Sequence, residues 1–229
     1  MAAIWQDCWA LMADPAQKAL LIDFDGTAAL QNVGMGLIRE FASDESWMAI
    51  NEDYEQDKVG SRHAYKLLGP LLRGSPDLWR SYVLQNHSLD AGLGNLVNKA
   101  MGAGWLVEIL SDGFDFYIEL LLEKAGLSLP VRSSALKMMP TRFEVASPFM
   151  NPLCGRCGTC KSERILELSN SGYYVIFVGD GLSDMCAAPK AHKIWAKDVL
   201  AEHLDAKGVP FERYGTLEDI AAKLFAAGA

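Results

Sequence analysis

The sequence predicts an α/β fold, a doubly wound parallel sheet with a helical cap domain inserted after the first strand. Three short apolar runs, residues 19–22, 105–110 and 173–178, each end in glycines and polar side chains, a pattern typical of buried parallel strands. Between residues 28 and 104 the pattern is helical throughout. An insertion of that length is too long for a simple crossover between two strands, so it indicates a separate helical unit.

We therefore divide the 229 residues into a core, residues 1–28 and 104–229, and a helical cap, residues 29–103. The chain is long enough for a core with a small cap. Half of the residues are hydrophobic, which allows the core to bury a substantial apolar surface.

The first half of the chain contains one strand and five helices. We expect a leading segment at residues 1–15 that packs on the core as a helix, and then a strand at about residues 18–24. Ser75 followed by Pro76 is a good helix start, with serine as the N-cap and proline at the first helical position. Asp90 is another plausible N-cap. The predicted cap helices are residues 33–42, 46–56, 61–72, 76–86 and 91–102.

The second half alternates strands and helices. After the strand at 105–110, we expect a helix that Gly126 closes, and then two strands joined by a turn near Pro140 and Thr141. Thr216 is the predicted N-cap of an amphipathic helix at the end of the chain. The remaining predicted elements are helices at residues 114–125, 161–170 and 183–188 and strands at 173–178 and 194–196.

The charge and hydropathy of the chain exclude several classes of function. The formal net charge is −8, and no cluster of lysines or arginines stands out, which argues against nucleic acid or an anionic membrane as a partner. No apolar stretch approaches the roughly 20 residues of a membrane span. Residues 1–7 lack the basic and apolar regions of a signal peptide, so we expect a cytoplasmic protein.

The five cysteines are too few and too unevenly placed for a disulfide scaffold. Cys8 and Cys186 are isolated, and we expect Cys186 to be a small core residue. Cys154, Cys157 and Cys160 are spaced three apart in a glycine-rich loop. This spacing is compatible with a zinc site, with a labile disulfide, or with free thiols that pack a tight loop. A closed structural zinc site needs four ligands.

Two carboxylates, Asp23 and Asp25, follow the first strand in the segment Asp-Phe-Asp-Gly-Thr. In a regular strand, residues two apart point to the same face, and like charges there repel. They are tolerable if a divalent cation lies between them or if the two acids have different tasks. Gly26 permits a sharp turn, and Thr27 adds a hydroxyl. Taken alone, the segment is also compatible with an aspartate-rich turn that caps the next helix.

Two later strand ends supply matching chemistry. Ser111 and Gly113 follow the apolar run that ends at residue 110, and Asp180 and Asp184 follow the run that ends at residue 178. Lys161 opens an amphipathic stretch between them. Because the carboxyl ends of parallel strands meet at one edge of the sheet, we expect these side chains to form one site.

At this point the chain resembles a known family. Asp23-Phe24-Asp25-Gly26-Thr27, Ser111, Lys161 and Gly179-Asp180 with Asp184 match, in order and context, the four motifs of the haloacid dehalogenase (HAD) superfamily of phosphohydrolases, over about residues 16–200. The segments 109–117 and 154–161 look like the phosphoserine-phosphatase-like branch. Within that branch the chain is most similar to enol-phosphate phosphatases of methionine salvage and more distantly to phosphoethanolamine and phosphocholine phosphatases. Asp112 departs from the pattern, because glycine is commoner there in this branch.

The resemblance implies a Rossmann-like core with a C1-type cap, and a magnesium-dependent phosphomonoesterase that acts on a small phosphorylated metabolite. Asp23 is then the nucleophile that forms an aspartyl-phosphate, and Asp25 is the general acid and base. The metal ligands are Asp23, Asp25 through its backbone carbonyl, and Asp180; Mg²⁺ suits such an all-oxygen site. Asp184 is expected to hold a water on the metal rather than to bind the metal directly.

The remaining expected roles concern the phosphate and the cap. Ser111 and the amide of Gly113 are expected to bind phosphate oxygens, and Lys161 to neutralise both the phosphate and Asp23. A cation at a helix N-terminus runs against the dipole preference, which indicates a specific reason for Lys161. The cap residues considered for substrate contacts, although each alone is more typical of an ordinary surface position, are Arg39, Arg62, His63 and Lys66.

Several functions stay open at the level of sequence. The first candidate substrate is the methionine-salvage enol-phosphate, followed by phosphoserine, phosphoethanolamine or phosphocholine. A phosphotransferase that uses the same chemistry is an alternative, as is a non-catalytic metal- or ligand-binding protein on this fold. A dehalogenase fits less well, because the second acid, Asp25, belongs to the phosphatase form of the motif.

Overall fold

The computed structural model describes residues 17–139 and 143–226. Within these ranges, the strands form one seven-stranded sheet. The strands are β1 (Lys18–Ile22), β2 (Leu106–Phe114), β3 (Val131–Met138), β4 (Phe143–Ala146), β5 (Tyr174–Gly179), β6 (Lys193–Ala196) and β7 (Glu212–Arg213). Their order is β4-β3-β2-β1-β5-β6-β7, and every neighbouring pair is parallel except β3 with β4. The predicted parallel α/β sheet is confirmed.

The helices of the described residues agree closely with the predicted ones in the first half of the chain. They are α1 (Val33–Phe41), α2 (Ser46–Glu55), α3 (Ser61–Leu68), α4 (Pro76–Asn86), α5 (Leu93–Gly102), α6 (Asp115–Lys124), α7 (Lys161–Asn170), α8 (Asp198–Lys207) and α9 (Leu217–Leu224). The helix predicted over 61–72 is shorter: α3 ends at Leu68, and a 3₁₀ turn at Gly69–Leu71 follows. Pro70 explains the change, since it lacks the amide that a continuing helix needs.

The apolar side chains of β1 alternate between two cores, as expected for a sheet covered on both faces. Leu20 and Ile22 belong to one core, with side chains from α5, α6 and α9. Ala19 and Leu21 belong to the other core, with side chains from α7 and α8. All four β1 residues are fully buried. The doubly wound arrangement follows directly from this pattern.

Helix α5 is the last helix before β2, and it packs against α9 and β2. Asp90 strengthens this contact, because its carboxylate accepts hydrogen bonds from the amides of Gly92 (2.8 Å) and Leu217 (3.4 Å). The prediction of Asp90 as an N-cap was wrong, since Gly92 is the N-cap residue of α5; Asp90 bonds two residues ahead, as aspartate does in turns. The division into a core and a cap at residues 29–103 stays a prediction.

Two other helix starts agree with the sequence. The Ser75 hydroxyl accepts a hydrogen bond from the amide of Leu78, with Pro76 at the first helical position. Thr216 caps α9, and Asp219 completes the capping box by accepting a bond from the Thr216 amide at 2.8 Å. Both starts are local features, which is why the sequence predicts them well.

The structure differs from the sequence prediction around the end of β5. Two 3₁₀ turns, Leu182–Asp184 and Ala188–Lys190, replace the helix expected at 183–188. Pro189 lies in the second turn and cannot donate a helical hydrogen bond. Cys186 is exposed rather than part of the core, because it lies between these two turns.

Helix α8 and strand β7 were not predicted. The spacing of buried Leu200 and Leu204 and the left-handed Gly208 (φ +65°) are the signals that would have identified α8. Strand β2 also runs past residue 110 to Phe114. The leading segment at residues 1–15, with Cys8, and the expected turn at Pro140 and Thr141 lie outside the described residues. None of the described helices combines the length and apolar character needed to cross a bilayer.

Candidate active site

The predicted site residues meet where β1, β2 and β5 end. Strand β1 is the middle of the three, because it pairs with β2 on one side and with β5 on the other. A cavity of about 240 Å³ opens there. The predicted residues that line it are Asp23, Asp25, Ser111, Gly113 and Asp180.

Lys161 lies behind this cavity and joins the ends of two strands. Its ammonium group donates to Asp23 Oδ1 at 2.5 Å, to Asp184 Oδ1 at 2.6 Å and to the Ser183 hydroxyl at 3.0 Å. The residue is only 2% exposed and begins α7. A buried ammonium is costly unless charged partners surround it, and the two carboxylates satisfy that need.

The acids at this site have unusual proton affinities. Burial and the neighbouring Asp184 raise the pKa of Asp23 well above its ordinary value, although Lys161 acts in the opposite direction. Burial and Asp184 also raise the pKa of Asp180, to about 6. Burial alone would lower the pKa of Lys161, but Asp184 and Asp23 raise it well above its ordinary value. Burial and the repulsion between the acids therefore outweigh the effect of Lys161 on the pKa values of Asp23 and Asp180.

The residues present fit a divalent metal ion. Carboxylate oxygens of Asp23, Asp180 and Asp184 lie within 4.8 Å of one another, and this is the one such cluster of acids, histidines or cysteines in the described part of the chain. Three carboxylates face one ammonium group, so a divalent cation would balance the excess charge. Oxygen donors alone are the ligands that Mg²⁺ prefers.

The hydrogen bonds of Asp180 and Asp184 differ. Asp184 uses both oxygens, since Oδ1 accepts from Lys161 while Oδ2 accepts from the amides of Asp180 (3.0 Å) and Gly181 (3.1 Å). Asp180 Oδ1 accepts from the Thr27 hydroxyl at 2.6 Å, and no described residue donates a hydrogen bond to its Oδ2. Asp180 thus has an oxygen available for a metal ion, whereas both oxygens of Asp184 are engaged; the assignment of Asp180 as a metal ligand and Asp184 as a supporting acid stays a prediction.

Gly26 is required where it stands. Its φ is +80°, and a Cβ there would lie 2.3 Å from Asp180 Oδ2. Because an L-residue rarely adopts that conformation and its side chain would collide with Asp180, only glycine lets the turn after β1 approach the end of β5.

Asp25 contacts a different set of groups from Asp23. Its Oδ1 accepts hydrogen bonds from the amides of Val33 (2.7 Å) and Gly34 (3.2 Å) at the start of α1, and its Oδ2 accepts from the Tyr117 hydroxyl. Burial raises the pKa of Asp25, while the bonds from Tyr117 and the two amides oppose that rise. The two acids of the motif therefore have separate partners, in agreement with different tasks.

Ser111 and Gly113 both lie inside β2 and are buried. The Ser111 hydroxyl accepts a hydrogen bond from the Gly113 amide at 3.0 Å. Both residues line the cavity next to Asp23 and Asp25, so the predicted phosphate-binding pair is brought to the predicted nucleophile.

Asp112, the residue that departs from the family pattern, belongs to a hydrogen-bonded group of four residues. We call this group the clasp: Ser61, Asp112, Gly158 and Thr159. Asp112 Oδ2 accepts from the Ser61 hydroxyl at 2.5 Å, and Oδ1 accepts from the Thr159 amide at 2.7 Å. Ser61 in turn accepts from the Gly158 amide at 3.1 Å. Burial raises the pKa of Asp112, and these bonds oppose the rise. The clasp joins the start of α3 to β2 and to the cysteine-rich loop.

The opposite wall of the cavity is largely apolar and comes from α1, α2 and α3. Its apolar and aromatic members are Met35, Ile38, Tyr54, Ala64, Tyr65 and Leu68. Four described residues that the sequence offers as candidates for substrate contacts do not line the cavity: Arg39, Arg62, His63 and Lys66. Arg39, His63 and Lys66 are exposed and Arg62 is half-buried, because helical spacing turns the apolar face of these helices inward. A contact between any of the four and a substrate stays a prediction.

Three contact residues were missed by sequence reasoning: Tyr117, Ser61 and Ser183. Tyr117 had a weak signal, a hydroxyl on the otherwise apolar buried face of α6. Ser61 and Ser183 had none, because a single serine in a helical or loop pattern is ordinary. The four described cysteines, including the three of the loop, are free thiols, and their sulfur atoms do not form a metal cluster within the described residues.

Sequence comparison finds relatives over most of the chain, although no protein-family model matches it. The chain is 26% identical over 212 residues to the 2-hydroxy-3-keto-5-methylthiopentenyl-1-phosphate phosphatase of Geobacillus kaustophilus, covering 89% of this chain and 94% of that protein. It is 24% identical over 208 residues to the protein of the same name from Brevibacillus brevis, covering 88% and 92%.

Solved structures show the same fold. A phosphoserine phosphatase, solved as an analogue of its phospho-aspartyl intermediate, matches with a TM-score of 0.68 and 18% identity over 91% of this chain and 99% of that chain. An HAD family hydrolase from Salmonella enterica serovar Typhi matches with a TM-score of 0.71 and 18% identity over 94% and 73%. These structures confirm the predicted fold, and the sequence relatives, which are named phosphatases, confirm the predicted resemblance.

Proposed function

We propose that this HAD-type phosphatase is a magnesium-dependent phosphomonoesterase that hydrolyses a small phosphorylated metabolite through an aspartyl-phosphate on Asp23. The observation that carries the proposal is the contact of Lys161 with Asp23 at the edge of the cavity. One oxygen of Asp23 is held by the ammonium group, so the other is free to attack. Carboxylates are established nucleophiles for phosphoryl groups.

The reaction proceeds in two steps. The free oxygen of Asp23 attacks phosphorus, the bond from phosphorus to the ester oxygen breaks, and Asp25 gives its proton to that leaving oxygen. Asp25 then takes a proton from water, whose oxygen attacks phosphorus. The bond to Asp23 breaks, which releases inorganic phosphate and restores the carboxylate.

The other residues stabilise charge during both steps. Ser111 and the amide of Gly113 bind phosphate oxygens, and Lys161 offsets the charge that develops as Asp23 reacts. Asp23, the Asp25 carbonyl and Asp180 would hold a divalent ion, which would supply positive charge to neutralise the phosphate. Asp184 keeps Lys161 and the turn after β5 in place through its three contacts.

The lining of the cavity supports the methionine-salvage enol-phosphate as the first substrate to test. Apart from its phosphate, the compound named for the relatives is an uncharged keto-enol chain that ends in a methylthio group. Among the described residues, no lysine, arginine or histidine lines the cavity, so the carboxylate of phosphoserine would lack a cationic partner. The apolar wall of α1 and α3 suits a methylthio group.

The test is phosphate release from a panel of phosphomonoesters, with Mg²⁺ and with a chelator. The panel contains the enol-phosphate, phosphoserine, phosphoethanolamine and phosphocholine. We expect Mg²⁺-dependent release, fastest with the enol-phosphate, and its loss in Asp23→Asn. Asp205→Asn is the matched control. Asp205 is an exposed residue of α8 that pairs with Arg213 of β7.

Release by Asp23→Asn at the wild-type rate contradicts the proposal, whichever substrate is used. Faster release from phosphoserine than from the enol-phosphate keeps the phosphatase but overturns the substrate assignment. Diversion of phosphate to an added alcohol, with a matching fall in inorganic phosphate, identifies a phosphotransferase instead.

A further inference from the structure

We propose that Tyr117 is a positioning residue for this reaction: its hydroxyl holds the Asp25 carboxyl in the one orientation that serves proton transfer. The inference rests on the proposed function, in which Asp25 exchanges a proton with the leaving oxygen and with water. It assigns a task to a residue outside the four motifs, on a helix that carries none of the reacting groups.

The Asp25 carboxylate is held on both oxygens. Oδ1 accepts two hydrogen bonds, from the amides of Val33 and Gly34, and Oδ2 accepts one from Tyr117. A carboxylate has about four lone-pair sites, two on each oxygen. Two donors fill Oδ1, so the remaining site is on Oδ2. Oδ2 is therefore the atom that carries the transferred proton, and it is the atom that Tyr117 fixes.

Tyr117 is itself immobilised by packing. Its side chain is fully buried, and its ring lies 5.8 Å from the ring of Phe24 and 5.9 Å from that of Phe114, centroid to centroid. Phe24 separates Asp23 from Asp25 in the chain, so the same packing fixes the motif and the tyrosine together. The packed ring therefore keeps the Tyr117 hydroxyl beside Asp25 Oδ2.

Two glycines leave room for the hydroxyl. A Cβ at Gly113 would lie 1.8 Å from the Tyr117 oxygen and 2.5 Å from Asp25 Oδ2, and a Cβ at Gly34 would lie 3.1 Å from the Tyr117 oxygen. The bond from tyrosine to aspartate therefore depends on glycine in β2 and favours glycine in α1. Glycine at position 113 is therefore explained by the space that the bond from Tyr117 to Asp25 needs.

The expected consequence is specific to proton transfer. A small displacement of a reacting group costs rate steeply, and the cost is greatest when the leaving oxygen needs a proton. A nitrophenolate leaves without one, whereas a phenolate or alkoxide depends on the acid. Loss of the Tyr117 hydroxyl should therefore penalise poor leaving groups more than good ones. A residue that only supports the fold would penalise all substrates alike.

The experiment compares kcat/KM for phenyl, 4-cyanophenyl and 4-nitrophenyl phosphate in the Mg²⁺-loaded wild type and Tyr117→Phe. We expect the variant to lose about tenfold more activity with phenyl phosphate than with 4-nitrophenyl phosphate. Tyr82→Phe is the matched control: it also removes one hydroxyl, which donates to the Gly36 carbonyl of α1, and should leave the ratio unchanged. In an Asp25→Asn background, Tyr117→Phe should add no further selective loss.

An equal loss across the three substrates, or no loss, overturns the inference while leaving the phosphatase intact. A Tyr117→Phe effect that persists undiminished in the Asp25→Asn background also overturns it. The failure of the proposed function has a different signature, namely turnover by Asp23→Asn.

Discussion

The two walls of the cavity are built in different ways. The strand-end wall consists of charged groups that the sheet places directly: Asp23 follows β1, Asp180 follows β5, and Lys161 bridges Asp23 and Asp184 with almost no exposure to solvent. The helical wall of α1, α2 and α3 is largely apolar, and the clasp at Asp112 ties it to the core. Under the proposed function, this difference separates chemistry from selection: the first wall carries the groups that react with the phosphate, and the second selects the rest of the substrate.

Of the substitutions at the strand-end wall, Lys161→Met is expected to have the largest effect on activity and stability. The change leaves buried carboxylates without their cation, so we expect kcat to fall about a thousandfold. Without metal, the free energy of unfolding should fall by about 3–5 kcal/mol, because a buried ion pair loses one partner. Phosphate release and urea unfolding in a chelator measure the two effects.

The control for that change is Lys190→Met, which removes an exposed lysine after β5. It should alter neither quantity measurably. A wild-type kcat in Lys161→Met would show that the lysine does not stabilise the reaction at Asp23. It would contradict the assignment of the chemistry to the strand-end wall.

Ser61→Ala tests the link between the walls. The hydroxyl donates to a buried carboxylate, and a hydrogen bond to a charged group contributes about 1.5–3 kcal/mol. We expect kcat/KM for the preferred substrate to fall about tenfold, because the helical wall is then positioned less firmly against the reacting groups. Ser43→Ala removes a hydroxyl that donates to the exposed Asp44, and it should change kcat/KM little. Equal kcat/KM for the two variants would mean that the clasp does not position the helical wall.

His87, at the end of α4, adds a pH dependence of stability that is separate from the titration of the acids in the strand-end wall. It is buried at the end of α4, both ring nitrogens lack a hydrogen-bond partner, and burial lowers its pKa. The unfolded chain binds the proton more readily than the folded one, so stability falls as pH drops below about 6.5. His87→Leu should flatten this slope between roughly pH 6.5 and 5.

The comparison variant is His63→Leu, whose side chain is exposed on α3. Urea unfolding across the pH range measures the free energy of unfolding of each protein. The titration of the carboxylates is common to the proteins and cancels in the difference between their free energies. Identical slopes for wild type and His87→Leu would contradict the assignment.

The smallest expected effects are at Arg39 and Lys66. Both are exposed, and neither lines the cavity. Arg39→Gln and Lys66→Gln should change kcat/KM by no more than about twofold, as surface substitutions do. A larger loss for one variant would show that its side chain reaches the substrate and would revise the apolar description of the helical wall.

The strand-end wall was predictable because its signals are local. An apolar run followed by aspartates places Asp23 and Asp180 at the same sheet edge whatever the rest of the chain does, and capping chemistry defines the start of α9 in the same way. Lys161 was identified through its place in the family's motifs. The parallel pairing of β1 with β2 and β5 then brought these residues together.

The contacts across the helical wall were not predictable, because they join distant parts of the chain. Tyr117 bonds an acid 92 residues away, and Ser61 bonds one 51 residues away. Which hydroxyl meets which carboxylate depends on how helices pack, and helical periodicity gives only the buried face. Arg62 and His63 neighbour the serine of the clasp but do not line the cavity, and their contact with a substrate stays a prediction.

The most direct test of the central claim is the mass of the reacted protein. Asp25→Asn mixed with 4-nitrophenyl phosphate and Mg²⁺ should form the intermediate without help for the leaving group and hydrolyse it slowly, since the base is missing. Digestion after acid quench should then give one phosphorylated peptide, modified at Asp23. Phosphate on any other residue, or nitrophenol release with no phosphorylated peptide at any time, would contradict the account.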